Sequence, residues 1–421
     1  MNTTHTDEEN LDAAVFDAVV VGGGPVGAVM ALGLRSRGLT VALIDPSPPR
    51  SVDNALGVDP RTLALSAATR TLLAQLNAWP DYPVSDIARM SIWEERGTAE
   101  LAFDALSLSS AAAEEGLGHI IEVGPWRSFL WRQLDSAGVH LEIGAVTRLT
   151  DLAASTQSAS QPPTSRRDVG GFAAQRWLVS VADRQLVAGL VIAADGANSM
   201  VRRSLSVPMP MVNTGQSALA SAARTSLPHG RTAYQRFLHT GPLALLPLRD
   251  EHLVSVVWSA DEAHADFLAG LSPVDLAAEL TQATEKRLGV INTLLPAVRF
   301  PLRQGVVANF VPQPGVVLIG DAARVIHPLA GQGVNLGFED VAGVLDCLAG
   351  DLSWPRFARA RRARSQLVIQ LMSTLNAAYG GPQPLLQWLR NQVVRGLNRS
   401  DRAKALLIRE AMGLGPFAQA G

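Results

Sequence analysis

Apolar residues in this chain come in short runs separated by turn-forming residues, and the first clear run covers residues 18–21. Its length and β-branched content suit a buried strand. Three glycines follow, then apolar residues at helical spacing, then a second apolar run ending at Asp45. Residues 16–45 therefore predict strand, glycine turn, helix, strand. A related unit lies at residues 315–341: an apolar run from Val316 to Ile319, then Gly320 and Asp321, a loop holding Pro328, Gly331 and Gly333, and a helical pattern over 334–348.

Between these units the rhythm changes repeatedly. Residues 59–79 predict a helix with Arg61 at its start, where a guanidinium can take a phosphate bidentately. Residues 84–103 alternate and predict a strand pair, 119–134 a helix carrying Arg127 and Arg132, and 139–149 a strand. Residues 153–176, rich in Ser, Gln, Pro and Gly, predict a long solvent loop. Residues 177–187 and 189–194 predict strands around a turn, followed by Asp195, Gly196, Asn198, Ser199 and Arg202. From 208 to 300 strand-like runs alternate with turns, and a helix is predicted at 273–288, which together read as a sheet domain inserted into the first one. After 351 the chain is helical and basic, with Arg356, Arg359, Arg361, Arg362 and Arg364 close together. Residues 385–409 place Leu385, Trp388, Leu389, Val393 and Leu397 on one side of a basic helix, a pattern that serves either a membrane surface or packing on the protein body.

Composition narrows the class. With 421 residues, 47% hydrophobic and 18% charged, the chain can bury a substantial core. A net charge of −2 gives no bulk attraction to nucleic acid. The single cysteine, Cys347, excludes an intramolecular disulfide, fits a reducing compartment, and sits in an apolar helix as a buried inert thiol. No apolar run reaches the ~18 residues of a membrane span. Residues 1–14 are polar and acidic, and read as a flexible leader rather than a signal peptide. A cytoplasmic protein is expected, and no metal-ligand spacing appears.

The glycines carry the first chemical signal. Gly22, Gly24 and Gly27 form G-x-G-x-x-G between strand and helix, with Pro25 opening the helix. In that context the first glycine permits the tight turn, the second lets backbone approach a pyrophosphate, and the third lets helix pack on strand. Asp45 stands where a carboxylate can bind a ribose hydroxyl. The motif calls for an adenine dinucleotide without saying which, and a nicotinamide dehydrogenase stays open at this point. In the later unit, Asp321 can accept hydrogen bonds from sugar-like hydroxyls. Gly331 and Gly333 let backbone come close to a flat ring. The free N–H groups near Val334, Asn335 and Leu336 favour negative charge, as on a reduced flavin. An ordinary strand-loop-helix unit is the alternative.

Taken together, Gly22–Gly27 with Asp45, then Asp195 with Gly196, then Gly320 with Asp321 and its glycine loop resemble the single-component FAD-dependent aromatic hydroxylases, the family of para-hydroxybenzoate hydroxylase. The phrases DPRTLALSAATRTLLAQLNAW, TAYQRFLHTGPLALLPL, HPLAGQGVNLGFEDV and RGLNRSDRAKALLIREAMGLG further resemble the ubiquinone-biosynthesis hydroxylases, over residues 16 to 413. Three features depart from that pattern: Arg324, where the subfamily usually has histidine, the region from Glu122 to Arg127, and the long loop at 153–176.

The resemblance implies an α/β protein. A Rossmann-like FAD-binding domain would span 15–85, 120–205 and 301–350, an inserted β-sheet substrate domain 86–119 and 206–300, and a C-terminal helical region 351–421. It implies an FAD-dependent monooxygenase in which FAD is reduced by NAD(P)H and reacts with O2 to a C4a-hydroperoxyflavin that hydroxylates a polyprenyl phenol in ubiquinone biosynthesis. Gly22, Gly24, Pro25, Gly27, Asp45 and Arg61 would hold the ADP half of FAD. Arg127 would add a contact, Asp195 and Asn198 would lie near the pyrophosphate, and Gly320 with Asp321 at the ribityl chain or pyrophosphate. Gly331, Gly333, Val334, Asn335 and Leu336 would face the pyrimidine side of the flavin. Pro328, His327 and Gln332 would stand at the reacting ring. A lipid-phenol substrate further implies peripheral contact at the inner membrane face and membership of a quinone-biosynthesis complex. Two other readings stand beside this one: an isoprenoid epoxidase or reductase of the same fold, and a flavin-free scaffold subunit, for which Arg324 is the support.

Overall fold

In the computed structural model the described residues are 13–95, 100–105, 116–152, 168–172, 175–326 and 332–379. Three sheets organise them. The first has strands β1 (Ala14–Val21), β2 (Val41–Asp45), β8 (His140–Ile143), β9 (Val146–Asp151), β10 (Trp177–Val181), β11 (Arg184–Ala193) and β18 (Val316–Leu318), in the order β8-β2-β1-β11-β10-β9 with β18 also on β11. β8, β2, β1, β11 and β18 run parallel, and β9 to β11 form an antiparallel meander. Parallel strands covered on both faces need unbroken apolar runs. Val19, Val20 and Val191 are accordingly fully buried. Because β1 holds one edge of β11, β10 and β18 share the other, β10 along its first half and β18 at Val191 to Ala193. The turn between β10 and β11 lies at Ala182 and Asp183, earlier than the predicted break at 188, with Ala182 at φ +51°.

The second sheet is the larger. It comprises β5 (Arg89–Glu94), β6 (Glu100–Asp104), β12 (Val212–Thr225), β13 (Thr232–Leu238), β14 (Gly241–Pro247), β15 (Leu253–Asp261), β16 (Ile291–Leu294), β17 (Val298–Val306) and β19 (Arg324–Val325), in the order β19-β17-β12-β15-β14-β13-β5-β6 with β16 on β12. One face, with Leu219, Leu243, Leu245, Val256 and Trp258, packs on helices that the capped runs Glu262–Ala269 and Pro273–Ala283 form. The other face packs at one end against a small third sheet, β3 (Thr62–Leu65), β7 (Gly118–Glu122) and β4 (Ser85–Ile87), in the order β3-β7-β4, through Ala222, Ala233, Leu253, Ile87 and Ile120.

The third sheet corrects two predictions. Residues 59–79 are not one helix, and Arg61 is not at a helix start. Thr62 to Leu65 pair with β7, and the helix begins only at Ala67, capped by the Ser66 side chain on the Thr69 N–H. Likewise residues 119–122 are strand, and the helix after them is Val123–Ser136. In both places a partner strand more than fifty positions away decides against local helix propensity.

In chain order the helices are α1 (Pro25–Ser36), α2 (Ala67–Gln75), α3 (Val123–Ser136), α4 (Met200–Ser204), α5 (Glu262–Ala269), α6 (Pro273–Ala283), α7 (Gln332–Ala349) and α8 (Trp354–Tyr379). Part of the predicted solvent loop is in fact docked: Val169 is buried, Phe172 lies against Trp354, and the Trp354 indole donates to the Gly170 carbonyl at 2.7 Å. Cys347 is buried in α7, and burial pushes its thiol up to about 12, as an inert core thiol requires. No described helix is long and apolar enough to cross a membrane. The basic stretch at 385–409 lies outside the described residues.

Candidate active site

The first glycine loop forms as its spacing predicts. Gly22 has φ +108°, and a Cβ there would stand 2.3 Å from the Ala194 carbonyl oxygen. A Cβ on Gly27 would stand 1.9 Å from the Gly22 oxygen, so only glycine lets α1 sit this close to β1. Gly24 differs: nothing lies within 4 Å of a Cβ there. It is the N-cap of α1, followed by Pro25, with no side-chain cap and no acid in the first turn. The N–H groups of that turn have no intrahelical partner. Open space, unfilled donors and the positive end of a helix make an anion seat.

Asp45, at the end of β2, is nearly buried. One carboxylate oxygen accepts the Gly23 N–H at 2.6 Å, and the other accepts Ser47 N–H at 2.9 Å and Arg127 Nη2 at 2.7 Å. Arg127 also donates to the Gly23 and Ser47 carbonyls and stacks on Trp131. It therefore belongs to the first glycine loop and braces the Asp45 carboxylate. Arg61 is exposed and paired with Asp59 at 2.9 Å, while Asp59 also accepts the Gly124 N–H in the first turn of α3.

Asp195 accepts the Met200 N–H at 2.7 Å with one oxygen, beside the Ser199 cap of α4; its other oxygen, Oδ1, is buried with no partner. Asn198 is exposed on the same turn. Arg202 joins this motif to the next, donating from Nη1 to Ala322 O at 2.9 Å and from Nη2 to Ala197 O at 2.6 Å. Burial lowers its pKa and Asp195 opposes that. Helical periodicity does not single out an arginine that works through its guanidinium on two backbone carbonyls. Gly320, at φ +58°, begins a 3₁₀ turn, and Asp321 follows, accessible to solvent yet crowded by protein. That crowding raises its carboxyl pKa, with Arg324 pulling the other way.

The start of α7 is fixed by side chains. Asn335 Oδ1 accepts Ser66 N–H at 3.0 Å and the Thr69 hydroxyl at 2.8 Å, and its Nδ2 donates to Ala64 O at 2.9 Å. The Leu336 side chain is fully buried against Val368 and Met372. Gly333 and Val334 are half-buried. Of the residues predicted to face a flavin ring, Asn335 and Leu336 thus turn their side chains inward. Asp340, one turn on, accepts the Gly320 N–H, Arg324 Nη1 and Arg361 Nε. No sequence signal marked Asp340 or Arg361. His327, Pro328 and Gly331 lie outside the described residues, as does the side chain of Gln332, the first residue of α7. Among the described residues no group of three or more His, Cys, Asp or Glu is placed to hold a metal.

The orphaned Asp195 oxygen, the open space beside Gly24 and the uncapped α1 N-terminus fit the pyrophosphate and sugar of a dinucleotide. Fold and site define a flavin monooxygenase, and comparison with known proteins agrees. The p-nitrophenol 4-monooxygenase PnpA of Pseudomonas putida DLL-E4 superposes with a TM-score of 0.68 at 18% identity, covering 96% of this chain and 99% of its own. A point variant of HpxO from Klebsiella pneumoniae, complexed with FAD, gives 0.68 at 15% identity, covering 95% and 99%. The family model for an FAD binding domain matches residues 146–355. The 3-demethoxyubiquinol 3-hydroxylase of Escherichia coli K12 is 30% identical over 94% of this chain and 98% of its own length. Ubiquinone hydroxylase UbiL of Rhodospirillum rubrum is 29% identical over 96% and 91%. The mitochondrial ubiquinone biosynthesis monooxygenase COQ6 of Homo sapiens is 29% identical over 78% and 76%. The chain belongs to this family of FAD-dependent monooxygenases, the ubiquinone-biosynthesis hydroxylases.

Proposed function

We propose that this protein hydroxylates the ring of a phenol bearing a polyprenyl tail in ubiquinone biosynthesis, with FAD as cofactor, NAD(P)H as reductant and O2 as oxygen source. The observation that carries the reading is the match to a named 3-demethoxyubiquinol 3-hydroxylase over 94% of the chain. A row across the second sheet supports it: Ala220 pairs with Val298 and Val257, Ala244 with Val257 and Gln235, and Gln235 with Ile92. These residues are half-buried or exposed on the face opposite α5 and α6, and are mostly small and apolar. Such a surface suits a hydrocarbon tail and excludes water from a reacting ring.

Bound FAD supplies the redox and oxygen chemistry. The chain's residues bind and orient. The α1 N-terminus and Gly24 would hold the pyrophosphate, Asp45 a ribose hydroxyl, and Asp195 Oδ1 and Asp321 further hydroxyls. The backbone of Gly333 to Leu336 would present N–H groups to the flavin ring, held in place by Asn335. Pro328, His327 and Gln332 are the residues proposed at the substrate ring, with His327 or Gln332 orienting its hydroxyl. The test is incubation of the purified flavoprotein with NAD(P)H and a prenylated phenol under ¹⁸O₂. One labelled oxygen in the ring is the expected result. Flavin reoxidation without labelled product from any phenol, or an epoxide on the tail, would sink the reading. Contact with an anionic membrane through residues 385–409 is part of the proposal: reversing charge at Arg395 and Arg399 should weaken liposome binding, and unchanged binding would count against it.

A further inference from the structure

One buried cluster has no part in the binding roles above. Arg324 is 1% exposed. Its Nη1 donates to Asp340 at 2.7 Å, its Nε and Nη2 have no hydrogen-bond partner, and its Cζ lies 5.8 Å from the Phe310 ring. Asp340 is fully buried and accepts three donors: Arg324, Arg361 Nε at 2.6 Å and the Gly320 N–H at 2.9 Å. Arg361 goes on to Leu336 O at 3.1 Å and to Glu339 at 2.7 Å, and Arg364 also pairs with Glu339, at 3.7 Å. Three guanidinium groups thus meet Asp340 and Glu339, Arg324 also acts on the nearby Asp321 carboxylate, and the buried Arg324 charge stands behind Gly320 and the first turns of α7. Inside a protein little water screens such a charge.

We propose that Arg324 is a positioning residue for FAD: through Asp340 it fixes the Gly320 N–H, and its charge makes the wall behind the flavin cationic, so that the reduced, anionic flavin is held more tightly than the oxidised one. The proposal rests on FAD occupying the cleft, and not on which substrate is hydroxylated. Asp340 lies eight residues into α7, about 12 Å along the axis from the start of the helix. Arg324, in contact with Asp340, is taken to act across a similar span, and a unit charge at about that distance, in an effective dielectric near 20, changes an equilibrium roughly tenfold.

The experiment compares the affinity of apoprotein for oxidised FAD and, anaerobically, for reduced FAD. The midpoint potential of the bound flavin reads the same ratio independently. Arg324→Met removes the charge, keeps the bulk and leaves Asp340 paired with Arg361. Arg324→Lys keeps the charge. The methionine variant should lose about tenfold of its preference for reduced flavin, a fall of about 30 mV for a two-electron couple, while the lysine variant retains it. An unchanged ratio in the methionine variant overturns the proposal, as does an equal shift in both variants. A merely structural role would weaken both flavin forms alike. Should Arg324→Met fail to fold, Arg361→Met removes the neighbouring charge and should shift the ratio in the same direction; no shift there overturns the proposal too. Wild-type protein that binds neither form would count against FAD occupancy itself.

Discussion

His229 shows how one side chain can make a fold sensitive to pH. It is 3% exposed, in the link between β12 and β13. Its Nε2 lies 3.0 Å from Leu248 O and 3.1 Å from Asp250 O, and its Nδ1 accepts the Arg231 N–H. Two carbonyls on one nitrogen and an N–H on the other define the neutral tautomer with its proton on Nε2. Burial lowers the pKa. In the unfolded chain the ring takes a proton as pH falls below about 6.5, while the folded ring resists it until its lower pKa is reached. The unfolded state then binds more protons, so this contribution to stability is complete above about pH 6.5 and is lost progressively below it. Denaturant unfolding between pH 5 and 8 should show that fall. His229→Gln should flatten it and lower stability at pH 8 by about 1–2 kcal/mol through the lost hydrogen bonds. An identical slope in the variant would remove His229 as its source.

Among the elements, the start of α7 has the most to hold. Its dipole and first-turn N–H groups are useful only if the helix end stays in register with β3 and α2, and Asn335 alone makes three of the bonds that keep it there. Asn335→Ala should strand the Ser66 N–H and the Ala64 carbonyl. A loss of about 2–4 kcal/mol in thermal unfolding is expected, together with weaker FAD binding. Full stability with weakened FAD binding would mean that Asn335 acts on the cofactor directly. How legible these elements were depended on where their determinants lie. The unit β1-α1-β2 could be read from the sequence, because its strand length, glycine spacing and helical period are all local. Thr62 to Leu65 could not, because their strand character comes from β7. Five arginines after residue 355 look alike in sequence, yet Arg361 is buried on Asp340 while Arg362 faces solvent. The cofactor motifs were visible as patterns. The side chains that brace them, Arg202, Asp340 and Arg361, were not, since each acts on a backbone group or carboxylate far along the chain.

At the scale of the whole molecule, the sheets are tied to one another and to the cofactor motifs by hydrogen bonds. β17 belongs to the large sheet and pairs with β19, which begins four residues after Gly320. Thr62 Oγ1 and Ser255 Oγ lie 2.7 Å apart, tying the small sheet to the same face. The cofactor motifs are therefore held by elements that share hydrogen bonds, and FAD should stabilise the sheets together. Adding FAD at 100 times its dissociation constant should raise the stability of the apoprotein by about 2.7 kcal/mol in a single transition. Two separated transitions, only one of them responding to FAD, would show the sheets to be independent.

The shared edge of β11 has a bearing on how the protein is made. Val191 to Ala193 remain without their second neighbour until Val316 to Leu318 arrive, and between them lie six of the nine strands of the large sheet. A chain emerging from the ribosome thus presents the first dinucleotide motif early and completes its seat late. The unfilled edge of β11 is a template for mispairing during that interval. The Gly320–Asp321 turn and the start of α7 are therefore made only after most of the large sheet, so the seat for the cofactor can be completed only late in synthesis.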